Sequence, residues 1–259
     1  MLIGLRTTLP ILAASRLGSR GLARAQRACA TMADDKNAVI IEPRSGQHDA
    51  SVVFLHGLGD TGDGWGSMMP DVDSMLPSKG TVRWVLPHAE DRRITLNGGM
   101  RMPGWADILG LSPNDPEDSA GLDESAARVE AIIANERARG AKTVVVGGFS
   151  QGGAVALHVA LRGREKIDAC AVLSSWLPRA TKTAHGAGAA GLRLFMAHGD
   201  ADQVVVFPWG KASHDELVEL GADARFVRAP GVGHGADMNV LREMASFLSE
   251  IIPRADPKL

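Results

Sequence analysis

The sequence lacks the features that would cross-link it, anchor it in a membrane or draw it to nucleic acid. Two cysteines in 259 residues provide no disulfide framework. No apolar run reaches the roughly 20 residues that a membrane-spanning helix needs. The charges nearly balance, with 28 Lys and Arg against 30 Asp and Glu, so nothing favours nucleic-acid binding. Because 45% of the residues are hydrophobic, we expect a soluble protein with a substantial core.

The sequence is equally poor in metal-ligand patterns. None of the eight histidines has a second one at the four-residue spacing of helical zinc ligands, so we expect no metal. His56 and His198 each precede a glycine at the end of a predicted strand, where packing or loop hydrogen bonds are the expected role. Cys170 lies in a predicted buried strand, where a free cysteine usually packs as a small hydrophobic residue.

The first 33 residues differ from the rest of the chain. They carry five arginines and no acidic residue before Asp34, a composition typical of an organellar transit peptide. Met32 offers a second start that would give a shorter, cytosolic form. We therefore predict a cytoplasmic protein, with the mitochondrion or another organelle as the alternative. Residues 1–36 are predicted to be a disordered extension, residues 37–253 the folded domain and residues 254–259 a tail.

Strand-like and helix-like segments alternate from about residue 37 onward, which predicts βαβ units and a mostly parallel sheet. An irregular stretch rich in Pro, Gly and Asn interrupts this alternation at residues 87–118, and loops of this length are usually functional. The predicted strands are Ala38–Glu42, Ser51–Leu55, Val82–Leu86, Thr143–Val146, Asp168–Leu173, Leu192–Ala197 and Ala224–Arg228. The predicted helices are Ser119–Arg139, Gln151–Arg162, Trp209–Leu220 and Ala236–Ile252.

One segment joins a predicted strand to a predicted helix with a motif that carries chemistry. The run Gly148-Phe149-Ser150-Gln151-Gly152 matches G-x-S-x-G, and between a strand and a helix this motif indicates a nucleophile elbow. The serine of such an elbow sits at a sharp turn, and the flanking glycines let strand and helix approach closely. Ser150 is therefore the predicted nucleophile.

Its partners should follow along the chain in the order acid, then histidine. Two carboxylates, Asp200 and Asp202, come just after a predicted strand, and His234 lies between glycines before the last helix. His234 is the predicted general base, which takes the proton of the serine hydroxyl. Asp202 is preferred as the residue that orients the imidazole, because it stands at the far end of its loop. Asp200 is the alternative.

An oxyanion formed at such a site needs preorganised donors, each contributing about 3 kcal/mol. The first predicted donor is the backbone N–H of Gln151, the residue after the nucleophile. The second is the N–H of Leu58, in the loop after an early strand. The side chains of both residues are expected to matter less than their amides.

The same loop also matches a dinucleotide-binding fingerprint, G-x-G-x-x-G, over residues 57–62. The residues that follow, which include Gly64, Gly66 and Pro70, make a poor start for the long helix that this fingerprint requires. No acidic residue ends the next strand either. We therefore expect no nucleotide and no other cofactor.

Together these motifs resemble those of the acyl-protein thioesterase (lysophospholipase-like) family of carboxylesterases, an α/β-hydrolase group. The resemblance extends over about residues 50–253. The segments that carry it are residues 54–62 (FLHGLGDTG), 105–108 (WADI), 147–153 (GGFSQGG), 175–178 (SWLP) and 198–200 (HGD).

The resemblance implies an α/β-hydrolase fold, with a mostly parallel central sheet and helices on both faces. It also implies hydrolysis of long-chain acyl thioesters on protein cysteines, with lysophospholipids and small esters as further substrates. S-acylated proteins would then be the partners, and transient contact with a membrane surface would follow. Ser150, Asp202 and His234 match the family's triad, and Leu58 and Gln151 match its oxyanion donors.

The loop at residues 87–118 would form a wall of the acyl site. Its apolar members suit a lipid chain, and the predicted contacts are Met102, Trp105, Ile108, Leu109 and Leu111. The family often has Phe where this chain has Ala106, which predicts a wider or looser acyl site. This departure supports an alternative function, a carboxylesterase of small non-protein esters.

Overall fold

A computed structural model describes residues 37–78, 80–179, 188–252 and 254. The predicted amino-terminal extension, with Met32, and all of the predicted tail except residue 254 lie outside the described residues. Within the described ranges, no helix combines the length and the apolarity needed to cross a bilayer.

Seven strands of the described chain form one sheet in the order β1-β3-β2-β6-β7-β8-β9. Only β1 runs antiparallel to its neighbour among these pairs, and the other pairs are parallel. The strands of this sheet are β1 (Ala38–Ile41), β2 (Ala50–Leu55), β3 (Val82–Pro87), β6 (Thr143–Phe149), β7 (Ala169–Leu173), β8 (Arg193–Gly199) and β9 (Asp223–Ala229). β4 (Asp91–Ile94) and β5 (Met100–Pro103) form a separate antiparallel hairpin.

Helices cover both faces of the sheet. They are α1 (Gly62–Gly66), α2 (Met69–Met75), α3 (Ser119–Arg139), α4 (Gln151–Arg162), α5 (Phe207–Glu219) and α6 (Met238–Ile251). Residues of α3, α4 and α5 join one buried cluster with alternate strand residues such as Val144 and Val146. Residues of α1, α2 and α6 pack on the other face, against Val145 and the strand residues that point to the same side of the sheet. The predicted mostly parallel sheet with helices on both faces is thus confirmed.

Neighbouring strand residues face opposite clusters because side chains alternate along a strand. Strands covered on both faces read as continuous apolar runs, which explains why the predicted strands Thr143–Val146 and Asp168–Leu173 overlap β6 and β7. The predicted bounds of α3 and α4 agree with the structure. Asp118 begins α3 by accepting a hydrogen bond from Gly121 N, as N-cap aspartates do.

Two parts of the predicted organisation were wrong. The stretch at residues 87–118 is not irregular throughout, because it contains the β4–β5 hairpin, whose strands are joined by a short 3₁₀ turn at Thr95–Asn97. The short helices α1 and α2 were also missed. The glycines of α1 disfavour a helix, and packing of Trp65 into the core outweighs this propensity. Pro70 suits the first turn of α2, but the seven residues of α2 are too few to show a helical period in the sequence.

Candidate active site

Ser150 occupies the turn between β6 and α4. Its backbone has φ 53° and ψ −120°, a conformation that a residue with a side chain rarely adopts and that marks local strain. The turn is tight enough to exclude side chains around it. A Cβ on Gly148 would lie 2.5 Å from the backbone carbon of Gly152, and one on Gly152 would lie 2.4 Å from Leu55 O. The G-x-S-x-G pattern therefore reflects steric need on both sides of the serine.

A chain of hydrogen bonds joins the three residues predicted to react. Ser150 Oγ lies 2.9 Å from His234 Nε2, and His234 Nδ1 lies 2.8 Å from Asp202 Oδ2. The Asp202 side chain has no exposed surface, while 18% of the His234 side chain is exposed. This arrangement can move a proton from the hydroxyl to the imidazole while the carboxylate holds the ring.

Asp202 is held by its own loop. Its Oδ1 accepts hydrogen bonds from Val204 N at 2.9 Å and Val205 N at 3.0 Å, which leaves Oδ2 directed at His234. A second imidazole, that of His198, approaches Oδ2 to 3.3 Å through Nε2. The carboxylate is therefore fixed in one orientation by several donors.

Asp200, the alternative acid, points elsewhere. Its Oδ2 accepts from Arg228 Nε at 2.9 Å, and its Oδ1 accepts from Gly231 N at 2.6 Å. The Gly231 N–H and then the Arg228 guanidinium lower the pKa of the Asp200 carboxyl. Its visible role is to tie the end of β8 to the loop that carries His234.

His56, just after β2, and His198, near the end of β8, are both buried and make hydrogen bonds, as expected. His56 Nδ1 donates to Gly57 O at 2.7 Å, so its Nε2 is free to accept from Ala89 N at 2.9 Å. His198 Nε2 donates to Val205 O at 2.7 Å. Burial lowers the pKa of both imidazoles below the ordinary histidine value, because a low-dielectric interior disfavours the charged form. Both imidazoles therefore favour the neutral form, and their role is structural, through these hydrogen bonds.

The two predicted oxyanion donors lie beside the serine. Gln151 is the first residue of α4, where backbone N–H groups have no partner within the helix. Leu58 lines the same cavity as Ser150 and Gln151. The Gln151 side chain is buried and makes two hydrogen bonds, to the backbones of Trp105 and Ala106.

A cavity of about 280 Å³ opens in front of Ser150 and His234, and its wall is largely apolar. Of the predicted acyl-site residues, Ile108 and Leu111 line it. Its wall also includes residues that the sequence reasoning did not assign to the acyl site: Leu96, Asn97, Phe149, Trp176, Val204 and Val205. Two sequence features could have indicated some of these residues. One is the Ser-Trp-Leu-Pro segment that contains Trp176, and the other is the apolar run that follows Asp202.

Three other predicted acyl contacts do not line this cavity. Trp105 is 1% exposed and its indole N–H donates to His56 O at 2.8 Å, so it belongs to the framework beneath the site. Met102 lies in β5, with its sulfur accepting a hydrogen bond from Asn97 Nδ2 at 3.3 Å. Leu109 borders a different surface depression, next to Trp209.

Ala106 does not line the cavity in front of the serine either. It borders a smaller void of about 20 Å³, which shares Ile108, Gln151 and Trp176 with that cavity. Within the described ranges, no group of three or more His, Cys, Asp or Glu side chains is placed to hold a metal ion.

Comparison with known proteins agrees with this geometry. Residues 35–252 match the family described as phospholipase/carboxylesterase. The chain is 39% identical over 211 residues to acyl-protein thioesterase 1 homolog 1 of Dictyostelium discoideum, covering 80% of this chain and 92% of that protein. It is 40% identical over 233 residues to acyl-protein thioesterase 1 of Mycosarcoma maydis, covering 83% and 97%.

A solved structure extends the likeness to three dimensions. The crystal structure of acyl-protein thioesterase 2 of Zea mays superimposes with a TM-score of 0.75 at 30% sequence identity, covering 83% of this chain and 99% of that one. The superposition therefore includes nearly all of the maize protein's chain.

Proposed function

The chain belongs to the phospholipase/carboxylesterase family of α/β-hydrolases, and from this premise we propose that it is a serine hydrolase that removes long-chain acyl groups from protein cysteines. The names of the relatives support the substrate class. The observation that carries the proposal is the hydrogen-bonded chain of Ser150, His234 and Asp202 at the mouth of an apolar cavity.

In the proposed reaction, Ser150 Oγ attacks the thioester carbonyl carbon as its proton passes to His234 Nε2. The carbonyl oxygen becomes an oxyanion that the N–H groups of Gln151 and Leu58 stabilise. Collapse breaks the carbon–sulfur bond, and the cysteine sulfur leaves and takes the proton from His234. A water then attacks the acyl-enzyme by the same route, which releases the fatty acid and restores Ser150.

The cavity fits part of a long acyl chain. A cavity of about 150 Å³ accepts benzene, so the cavity of about 280 Å³ holds on the order of ten chain carbons. The remaining carbons of a longer chain would lie against exposed residues at the rim, which include Leu96, Leu111 and Val204. Lysophospholipids and small esters are accommodated as side substrates by the same apolar wall.

An acyl-length series tests the substrate class. Purified protein is given acylated cysteine peptides and p-nitrophenyl esters of two to sixteen carbons, with Ser150→Ala as control. Each methylene buried in the cavity should contribute about 0.8 kcal/mol, which is roughly a fourfold gain in kcat/KM per carbon until the cavity is full. A flat profile, or peptides that are not cleaved, would contradict the proposal and favour the small-ester alternative.

We also propose transient contact with a membrane surface, because the substrates carry lipid chains. Leu96, Leu111 and Val204 at the cavity rim are exposed, and Met100 on the β4–β5 hairpin is 64% exposed. Arg93 on the same hairpin is also exposed and suits an anionic lipid surface. Met100→Glu should lower co-sedimentation with phosphatidylserine vesicles and leave hydrolysis of a soluble short ester unchanged. Equal sedimentation of both proteins would contradict this contact.

The proposed place of action is the cytoplasm, with the mitochondrion or another organelle as the alternative. The alternative rests on the arginine-rich residues 1–33, which lie outside the described residues. Imaging a carboxyl-terminal fluorescent fusion of the full chain beside one that starts at Met32 separates the two. An organellar signal that disappears in the shorter form would favour the alternative.

A further inference from the structure

The side chain of Gln151 links the start of α4 to a neighbouring segment of chain. It is 2% exposed, with Oε1 accepting from Trp105 N at 2.9 Å and Nε2 donating to Ala106 O at 2.6 Å. An amide that binds a donor and an acceptor on adjacent residues fixes both the distance and the rotation of that contact. The first turn of α4 is thereby fastened to residues 105 and 106.

The same segment is fastened to the other oxyanion loop. The Trp105 indole N–H donates to His56 O at 2.8 Å, and Gly59 N donates to Pro103 O at 2.8 Å. Leu58 therefore lies between two residues whose backbones are bonded to residues 103–105. Gly104 and the Leu58 side chain lie in close contact, since a Cβ on Gly104 would lie 3.0 Å from Leu58 Cδ1.

Residues 103–106 thus bridge the two loops that carry the predicted oxyanion amides. We propose that this bridge, through the Gln151 side chain and the Trp105 indole, sets the separation and direction of the Leu58 and Gln151 N–H groups. This inference rests on the proposed function and deepens it. Gln151 acts here through its side chain as a positioning residue, and Trp105 is a positioning residue instead of an acyl contact.

The proposal gives a kinetic signature that a purely structural role lacks. Oxyanion donors act only when they lie 2.7–3.1 Å from the oxygen of the tetrahedral state. Loosening the bridge should therefore lower kcat and leave KM nearly unchanged, because ground-state binding of the substrate does not use these donors. Affinity for an analogue of the tetrahedral state should fall by the same factor as kcat/KM.

The test uses the full chain with Gln151→Met and Trp105→Phe. Methionine keeps the length of the side chain without hydrogen bonds, and phenylalanine keeps a ring without the indole N–H. The readouts are kcat and KM on p-nitrophenyl butyrate and on longer p-nitrophenyl esters, inhibition by a trifluoromethyl ketone that adds to the serine, and active sites counted with a fluorophosphonate probe. We expect kcat per active site to fall roughly 10- to 100-fold, part of the loss measured when a whole donor is removed.

Trp84→Phe is the matched control. Trp84 is fully buried, and its indole N–H reaches Asp73 Oδ1 at 3.4 Å on the other face of the sheet. The same substitution there should lower the melting temperature while kcat per active site stays within twofold. If Trp105→Phe does not yield folded protein by circular dichroism, Gln151→Met decides the matter.

Two results would overturn the proposal. One is an unchanged kcat per active site in Gln151→Met, and the other is a rise in KM that grows with acyl length in Trp105→Phe, which would mark Trp105 as an acyl contact. Failure of the proposed function is a separate result, because it would show in the wild-type protein as no cleavage of acylated cysteine peptides. The short ester and the ketone do not depend on that substrate class.

Discussion

Replacing Asp202 by asparagine should remove most of the activity and leave the fold intact. Asn is nearly the same size as Asp, but one of its two terminal atoms is an NH₂ donor. Val204 N and Val205 N, at 2.9 and 3.0 Å from Oδ1, require an acceptor at that position. The reversed amide would leave both donors unpaired, which costs about 1–3 kcal/mol for the buried Val205 N–H alone, so the NH₂ group must take the place of Oδ2.

This orientation places a donor 2.8 Å from His234 Nδ1. Nδ1 must then accept, and the imidazole proton moves to Nε2, the atom that has to receive the Ser150 proton. The same exchange in a serine protease lowers kcat about 10⁴-fold. We expect a fall of about 10³- to 10⁴-fold, equivalent to roughly 4–5.5 kcal/mol of transition-state stabilisation.

Asp200→Asn is the matched control, two residues away in the same loop. Its amide oxygen can still accept from Gly231 N, and the Arg228 contact that it weakens is exposed to solvent. We expect kcat to change less than threefold. Both variants are assayed on a p-nitrophenyl ester after fluorophosphonate titration and circular dichroism. The reasoning fails if folded Asp202→Asn keeps more than a tenth of the activity, or if the two variants lose equal amounts.

Three further predictions concern stability and reactivity. Burial lowers the pKa of His56 and His198 in the folded protein, so below the ordinary value of about 6.5 the unfolded chain binds more protons. The free energy of unfolding should therefore fall between pH 7.5 and 5.5 in urea titrations, by up to about 1.4 kcal/mol per pH unit for each ring; an unchanged value would contradict this. Burial also raises the pKa of the Cys170 thiol, so in a Cys29→Ser protein maleimide should label it only after unfolding, and rapid labelling of the native Cys29→Ser protein would refute its burial. Gly152→Ala brings a Cβ to 2.4 Å from Leu55 O and should lower both the melting temperature and kcat, whereas unaltered values would show that the turn can relax.

The buried strands and long helices could be predicted because each has a local cause. Thr143–Phe149 is apolar on both faces of the sheet, and Ser119–Arg139 ends at Gly140, whose φ of 114° suits glycine. The positions of Ser150 and His234 followed from where chain turns occur, since catalytic groups collect at the carboxyl ends of parallel strands. Each of these signals lies within a few neighbouring residues.

What the sequence could not supply was the direction of individual side chains. Asp200 and Asp202 follow the same strand, and only the fold of their loop shows which carboxylate meets His234. Trp105 was predicted from its apolar character to contact the acyl chain, yet its indole N–H is used by His56 O, 49 positions earlier in the chain. Trp176 stands out in the sequence only as part of the Ser-Trp-Leu-Pro segment, and its place in the cavity depends on contact with Trp209, a residue of α5 that is distant in the chain.

The loop after β8 has a consequence for how this enzyme can change. Val204 and Val205 form part of the cavity wall with their side chains, while their N–H groups hold the Asp202 carboxylate. A backbone shift that reshapes this part of the wall would also turn the carboxylate away from the imidazole. Adaptation to new substrates, by evolution or by design, should therefore accumulate at Leu96, whose N–H bonds to Ile108 O instead, before it reaches this loop.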